Sequence, residues 1–311
     1  MTRRLAAGAC ILAPLCYALA LPDYLVFGSQ ILVMALLAIS LDLLVGYAGV
    51  ATLGHAAFFG AGAYVAGLLS VHGWGEPLTG VLIAACVAGV LGIPIGLLTA
   101  RSGTLARLMI TLGIAVLLYE TANRAAGVTG GADGLQGMEI WPLLGVFDFD
   151  LAGKIGFAYA WCAFVLGFIL ARFVVKSPFG LSLEAIRDNP LRAAGIGIPV
   201  KARLTAAFVI SAAIAGAAGA VLAQITQVVA LNVLSVQLSA DVLVILIFGG
   251  IGRIYGGLIG ATLYMGAHHW MSDLSPVYWQ FWLGLVLIAC AFLAPSGIMG
   301  LMARRAGGRD T

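Results

Sequence analysis

The sequence predicts an all-α polytopic membrane protein, a bundle of about ten transmembrane helices in a single integral-membrane domain, 1–311. Hydrophobic residues make up 62% of the chain and charged residues only 9%, with a mean hydropathy of +1.08. A soluble domain carries about 25% charged residues, so the bilayer must be the main solvent. The apolar runs are continuous rather than alternating, which favours helices over a barrel. The 42 glycines favour close helix contacts or broken helices.

A helix needs about 20 apolar residues to cross a bilayer. The segments that meet this requirement, some of them loosely, are 5–22, 25–46, 52–71, 79–100, 107–123, 154–175, 204–224, 237–249, 256–271 and 278–298. The eighth and ninth segments are short and are separated by the glycine-rich stretch 248–252. This interruption favours half-helices around an unwound stretch.

The distribution of Lys and Arg predicts that both termini lie inside. With the N-terminus inside, the inner side receives Arg3, Arg4, Arg101, Arg107, Lys176, Arg187, Arg192, Lys201, Arg203, Arg253, Arg304, Arg305 and Arg309. The outer side receives mainly acidic residues, with only Arg124 and Lys154 as cations. The first segment also resembles a secretory signal, and its cleavage would leave nine spans and an outside N-terminus. We favour an uncleaved first helix.

Loop lengths, motifs, net charge and cysteine spacing exclude several classes of protein. Two loops are long, an outer loop at 124–153 and an inner loop at 176–203. No GxxxxGK[ST] motif occurs, so any ATP must be hydrolysed by another chain. The net charge of +3 does not indicate a nucleic-acid partner. The five cysteines lie within apolar runs without metal-ligand spacing, and there is no catalytic cluster, so we expect neither a metal site nor an enzyme.

The inner loop contains charges and helix-capping residues that break the membrane pattern. Ser182 is predicted to cap a short helix that extends to Asp188, and Asn189-Pro190 to begin a second one. Gly195 and Gly197 would end the second helix. We expect an apolar stripe, formed by Leu183, Ile186, Leu191 and Ala194. Such a segment is either an amphipathic loop on the membrane surface or a docking element for a cytoplasmic partner.

The stretch 183–199, LEAIRDNPLRAAGIGIP, resembles the coupling loop of ABC-importer permeases, most closely the branched-chain amino-acid permease family of LivM type. Glu184 and Ala185 match the first two positions of the broader Glu-Ala-Ala motif, and Ile186 departs from the third. In that family the loop docks on the ATPase subunit. The resemblance therefore implies that the residues coupling this chain to an ATPase are Glu184, Ala185, Ile186, Arg187, Asp188, Arg192 and Gly195.

The segment 41–64 contains five glycines, three of them at positions 46, 49 and 54. Each glycine costs a straight helix about 1 kcal/mol relative to alanine, so a bend or unwound turn is expected at 46–54. Small-residue helix packing is the alternative interpretation for 60–63. The segment also resembles a signature of the same family, although Val50 and Thr52 stand where polar residues are common. Candidates for lining the substrate path are Gly46, Tyr47, Gly49, Thr52, Gly54, His55, Phe58 and Phe59.

The outer loop and three acidic residues complete the candidate sites. The outer loop carries a glycine turn that resembles a family stretch, with the candidate residues Thr129, Gly130, Gly131, Asp133 and Gly134. Asp42, Glu120 and Asp241 lie in or near spans, where a charge is costly, so they serve either structural pairing or the transport path. His55 is interpreted as a hydrogen-bonding structural residue rather than a proton relay.

The resemblance runs from about residue 40 to 300 and implies the permease subunit of an ATP-driven importer for branched-chain or related small amino acids. It implies that this chain binds no cofactor and works in a bacterial inner membrane. Its implied partners are a second homologous permease, two cytoplasmic ATP-binding subunits and an extracytoplasmic solute-binding protein. The alternative is an ion-coupled secondary transporter that uses Asp42, Glu120 or Asp241 without an ATPase.

Overall fold

The computed structural model describes residues 24–143, 145–148, 150 and 153–274. It also describes the isolated positions Pro14, Tyr17, Tyr278, Phe281, Trp282, Gly284 and Leu285. Nearly all of the predicted first and tenth spans, 5–22 and 278–298, lies outside the described residues.

The described part of the chain contains eleven α-helices, which confirms the all-α prediction. They are α1 (Leu25–Asp42), α2 (His55–Val71), α3 (Pro77–Thr99), α4 (Thr104–Arg124), α5 (Ala126–Thr129), α6 (Lys154–Lys176), α7 (Pro178–Asp188), α8 (Pro190–Gly195), α9 (Val200–Thr226), α10 (Val236–Gly249) and α11 (Gly256–Leu274). Helix α1 continues as a π-helical turn, Leu43–Tyr47. Five of these stretches are long and apolar enough to cross a membrane: 25–47, 77–99, 104–124, 154–176 and 200–226. Helices α2 and α10 are shorter and also apolar.

The predicted eighth and ninth segments form two helices, α10 and α11, which flank a non-helical stretch and pack against each other as a hairpin. The two helices approach each other where Gly249 faces the carbonyl of Gly256 and Gly260 faces Ile245. Gly250 and Gly252 have positive φ angles of 101° and 76°, which let the chain reverse between them. The predicted interruption by these glycines is therefore the non-helical turn between the two helices.

Helix α9 lies at the centre of the bundle and packs against α1, α2 and α3. Its glycines permit very close approach: a Cβ atom added to Gly62 of α2 would lie 2.5 Å from the Cα of Gly216. Gly219 similarly faces the backbone carbonyl of Phe59. Small residues let the backbones of membrane helices approach closely. The glycine content thus serves helix packing as well as helix breaks.

Helices α3, α4 and α6 carry apolar side chains on their outward faces. The most exposed of these residues are Leu82, Val90, Leu105, Met109, Leu117, Leu166 and Phe173. Contiguous apolar surface of this kind is rare on soluble proteins and suits contact with lipid or another membrane helix. The fold is therefore that of a polytopic helical membrane protein.

Candidate coupling and transport site

The inner loop forms two short helices, α7 and α8. Helix α7 begins at Pro178, and the Ser177 side chain accepts a hydrogen bond from the Gly180 amide at 3.4 Å. The prediction that Ser182 caps this helix is wrong, since Ser182 lies within α7 and donates to the Phe179 carbonyl at 2.6 Å. The earlier Ser177-Pro178 pair, a cap followed by proline, starts the helix one turn sooner.

The second short helix begins and ends where the sequence predicts. The Asn189 Oδ1 atom accepts a hydrogen bond from the Arg192 amide at 2.9 Å, and Pro190 occupies the first helical position. Helix α8 ends at Gly195, and Gly197 follows with a φ of 89°. We call residues 178–195 the coupling segment.

The predicted apolar stripe holds for α7 but not for α8. Leu183 and Ile186 are buried against the bundle, whereas Leu191 is 87% exposed and Ala194 is exposed. Ala193 is buried instead, because the extended backbone of Asn189 changes the direction of the chain between the helices. The coupling segment consequently presents a large apolar side chain, Leu191, next to charged Arg192. Exposed apolar and charged groups together are typical of a surface that docks a partner.

Arg187 points from the coupling segment toward the first membrane helix. Its Nη1 atom donates a hydrogen bond to the Gly46 carbonyl at 2.5 Å. Its Nε atom lies 3.6 Å from Asp188, and the Arg187 side chain is 41% exposed. This side chain therefore joins the coupling segment to the bundle as well as meeting solvent.

The first helix break occupies the predicted place. The π-helical turn Leu43–Tyr47 leads into the non-helical residues 48–54, and α2 begins at His55. Gly49 has a φ of 67°, a conformation that favours glycine. Threonine hydroxyls satisfy amides freed by the break: Leu53 N donates to Thr111 Oγ1 at 3.3 Å and Gly54 N to Thr52 Oγ1 at 3.2 Å. The predicted unwound turn at 46–54 is confirmed.

The two glycine breaks contact each other, which the sequence analysis did not anticipate. The Gly252 amide donates to Asp42 Oδ1 at 2.8 Å, and the Arg253 amide donates to the same carboxylate. A Cβ atom on Gly46 would lie 2.5 Å from the Gly252 nitrogen. Asp42 is 1% exposed, and its Oδ2 atom has no hydrogen-bond partner among the residues that the structure describes. The sequence signal for this contact is an acidic residue, Asp42, within an apolar span that precedes a glycine break.

The other two acidic residues are not buried. Glu120 is exposed and lies 3.9 Å from Arg124, one helical turn away. Asp241 accepts a hydrogen bond from Gln237 Nε2 at 3.1 Å and also bonds to Tyr264 of the adjacent helix α11. Each of these two carboxylates thus has a neighbouring side chain as a partner, which is consistent with a structural role.

His55 lies in a buried polar cluster. Its Nε2 atom is 2.7 Å from Ser40 Oγ, and Ser211 Oγ donates to the Ser40 carbonyl at 2.5 Å. Ser239 Oγ accepts from the Ala56 amide at 3.0 Å. These three serines cannot be singled out from the sequence, because single serines in apolar helices form no motif. The cluster joins α1, α2, α9 and α10.

The candidate path residues are largely enclosed in this conformation. The buried ones are Gly46, Tyr47, Thr52, Gly54, His55, Phe58 and Phe59, while Gly49 is exposed at the break. Helices α9 and α10 cover this region through Ser211 and Ser239. The residues therefore belong to the core of the bundle here, and their transport role stays a prediction.

The outer-loop candidates form an ordered turn. Gly130, Gly131 and Gly134 all have positive φ angles, and buried Thr129 donates to the Ala122 carbonyl at 2.5 Å. The next residue, Leu135, pairs with Val229 through two backbone hydrogen bonds of 2.8 and 3.0 Å. Asp133 remains exposed. The outer loop is therefore hydrogen-bonded, through Leu135, to the chain that follows α9.

The candidate residues show no arrangement for chemistry. Within the part of the chain that the structure describes, no group of three His, Cys, Asp or Glu residues could hold a metal ion. The long apolar helices, the exposed inner helix pair and the helix breaks define a polytopic helical membrane protein.

Comparison with known proteins identifies the family. Residues 25–291 match the family described as "Branched-chain amino acid transport system / permease component", and the chain belongs to this family. It is a permease component rather than an enzyme, it binds no cofactor, and a separate subunit hydrolyses ATP. An ABC system of this kind also implies ATPase and binding-protein partners.

Curated relatives carry matching descriptions. The chain is 28% identical over 299 residues to the "High-affinity branched-chain amino acid transport system permease protein LivM" of Salmonella typhimurium, covering 88% of this chain and 69% of that protein. It is 28% identical over 295 residues to the protein of the same name from Escherichia coli, covering 86% and 68%. A "Probable branched-chain amino acid transport permease protein LivH" of Methanocaldococcus jannaschii is 28% identical over 171 residues, about half of each chain. No solved structure matches.

Proposed function

We propose that this chain moves branched-chain or related small amino acids into the cell by alternating access, after a binding protein delivers them and while partner ATPases hydrolyse ATP. The observation that carries the proposal is the coupling segment, which exposes Leu191 and charged residues on one side and bonds to a broken membrane helix on the other. A docking element attached to an interrupted membrane helix is what an external motor requires. The amino-acid class rests on the family and its relatives.

The proposed assembly contains this chain, a second homologous permease, two cytoplasmic ATPases and the solute-binding protein. We place it in a bacterial inner membrane, with about ten spans and both termini inside. The single domain 1–311 would present the loop 176–203 to the cytoplasm and the loop 124–153 to the outside. Supporting this topology, Lys176, Arg187, Arg192 and Lys201 all lie in the inner loop.

Two sets of residues have proposed roles. Docking on the ATPase is assigned to the accessible residues of the coupling segment, Glu184, Ala185, Asp188, Arg192 and Gly195. Ile186 and Arg187 contact the bundle instead, so their proposed role is to join the docked segment to the membrane helices. The substrate path is assigned to residues 46–59, which adjoin the first helix break and would become accessible when the bundle opens. We expect the solute to contact the apolar side chains Phe58 and Phe59 in that open state.

The ion-coupled alternative is less consistent with the geometry around Asp42. Broken membrane helices bind cations through freed carbonyls and a nearby carboxylate. Here the guanidinium of Arg187 already bonds to the Gly46 carbonyl, and its positive charge acts on Asp42. A second cation at the same place would be repelled. Glu120 and Asp241 have protein partners of their own.

The test is uptake of radiolabelled leucine into proteoliposomes. Vesicles would contain this chain alone, or this chain with the second permease, the ATPases and the binding protein. We expect uptake only in the complete system, and only when ATP is present on the side of the membrane where the ATPases are bound. Uptake by the isolated chain under a sodium or proton gradient would contradict the proposal and support the ion-coupled carrier.

A further inference from the structure

Arg187 lies between the two glycine breaks. Its Nη1 atom bonds to the Gly46 carbonyl at 2.5 Å, and a Cβ atom on Gly252 would lie 3.7 Å from the same nitrogen. The Gly252 amide in turn bonds to Asp42, the last residue of α1. One arginine of the coupling segment therefore adjoins both places where the membrane helices are interrupted. We call Asp42, Gly46, Gly49, Arg187 and Gly252 the junction.

The junction is tightly packed. A Cβ atom on Gly49 would lie 2.7 Å from the Arg187 Cγ atom, and one on Gly46 would lie 2.7 Å from the Gly252 Cα atom. Real Cβ contacts are not this short, so only glycine fits at these positions while the parts stay in place. Because close-packed groups transmit displacement rather than absorb it, a shift of Arg187 must move the first break.

The remainder of α7 packs against the bundle on one face and is accessible on the other. Leu183 and Ile186 anchor one face of the helix in the bundle, and Arg203 of α9 lies over the Phe179 ring at 5.4 Å. On the cytoplasmic side, the exposed Leu191 and Arg192 remain available to a partner. A hydrogen bond from a guanidinium to a carbonyl is stronger than one between neutral groups, and it resists being pulled apart. Force on the coupling segment is thus applied to Gly46.

We propose that Arg187 is a positioning residue that transmits displacement of the coupling segment to both helix breaks, through the Gly46 carbonyl and the Asp42–Gly252 contact. This inference rests on the proposed importer function. It assigns two different roles, docking and transmission of movement, to different residues of the coupling segment. The exposed residues of the coupling segment hold the ATPase, whereas Arg187 transmits the movement of the segment to the membrane helices.

The test compares Arg187→Gln, Arg187→Lys and the control Arg101→Gln in the complete reconstituted complex. Arg101 lies in another inner loop and is exposed, so its replacement removes one positive charge from the same side without touching the junction. For each variant, complex assembly, ATP hydrolysis and leucine uptake would be measured in the same vesicles. The decisive quantity is leucine imported per ATP hydrolysed, which a merely structural or docking role would leave unchanged.

We expect Arg187→Gln to assemble and to hydrolyse ATP, but to import about tenfold less leucine per ATP, the ratio that loss of one charged hydrogen bond corresponds to. Arg187→Lys should be intermediate, since it keeps the charge, and Arg101→Gln should match the wild type.

An unchanged ratio in Arg187→Gln, or loss of the complex with both Arg187→Gln and Arg187→Lys, would overturn the inference. If Arg187→Gln does not reach the membrane, the ratio for Arg187→Lys decides in the same way. Absence of ATP-driven uptake in the wild type would instead overturn the importer function itself.

Discussion

At the scale of single residues, the buried polar groups of this bundle are joined in small clusters. Ser40 contacts His55, and Ser211 bonds to the Ser40 carbonyl. A buried polar group that loses its partner costs more than the bond itself contributes, because nothing in the apolar surroundings replaces it. His55 therefore depends on Ser40 for the hydrogen bond at Nε2.

Replacing Ser40 with alanine should lower the free energy of unfolding by about 1–3 kcal/mol, since His55 Nε2 would be left buried without its partner. Thermal unfolding of the detergent-solubilised protein measures this change. The control is Ser102→Ala, whose hydroxyl bonds only to the Leu98 carbonyl at 2.9 Å in an exposed turn. It should change stability by less than about 0.5 kcal/mol. Equal effects of the two variants would contradict a role for the Ser40–His55 contact.

At the scale of helices, glycines set how closely α2 and α9 approach each other. Gly62 faces Gly216 with no room for an added methyl group. A Cβ atom on Gly113 of α4, by contrast, would meet no described atom within 4 Å. The same residue type therefore has opposite roles in two membrane helices. In α2 it permits packing, and in α4 it only weakens the helix.

Gly62→Ala should destabilise the protein by about 1–3 kcal/mol, because the methyl group forces the two backbones apart. Gly113→Ala is the matched control, and it should be neutral or stabilise the protein by up to about 1 kcal/mol through its higher helix propensity. Both are measured by heating the solubilised protein and recording the fraction that stays monodisperse. The prediction fails if Gly62→Ala is as stable as Gly113→Ala.

The exposed face of α8 should carry the interaction with the ATPases. Leu191→Ser removes a large apolar side chain that contacts little else in this chain, so membrane insertion and stability should be preserved. Co-purification of the ATPases should fall by about tenfold, the effect of truncating a central apolar residue in an interface. Val146→Ser, at an exposed apolar position of the outer loop, should leave ATPase binding unchanged. Wild-type recovery of the ATPases with Leu191→Ser would exclude α8 as the contact.

At the scale of the whole molecule, the two long loops should lie on opposite sides of the membrane. In a variant whose five native cysteines are replaced by serine, a cysteine at Val146 should react with a membrane-impermeant maleimide in intact cells. A cysteine at Leu191 should react only after the membrane is opened, because both positions are exposed but on different sides. Labelling of both positions in intact cells would refute the proposed topology.

Much of the fold could be predicted because membrane helices are encoded locally. The predicted segments 25–46, 107–123 and 154–175 correspond to α1 with its π turn, α4 and α6, since apolar length alone defines such helices. The break at 46–54 and the Asn189 cap also follow from local chemistry. Ser182 was misplaced as a cap because two serines, at 177 and 182, both precede plausible helices, and Pro178 decides between them.

The membrane class, most of the helices, the first break and the pair of short inner helices follow from the sequence alone, because each depends on residues close together in the chain. Only the tertiary structure revealed that Asp42 and Arg187 meet the Gly252 turn and that Ser40 and Ser211 surround His55. These contacts join residues far apart in sequence, and their partners are backbone groups or isolated serines. Such groups are present in every helix, so only the packing of the bundle selects which of them meet.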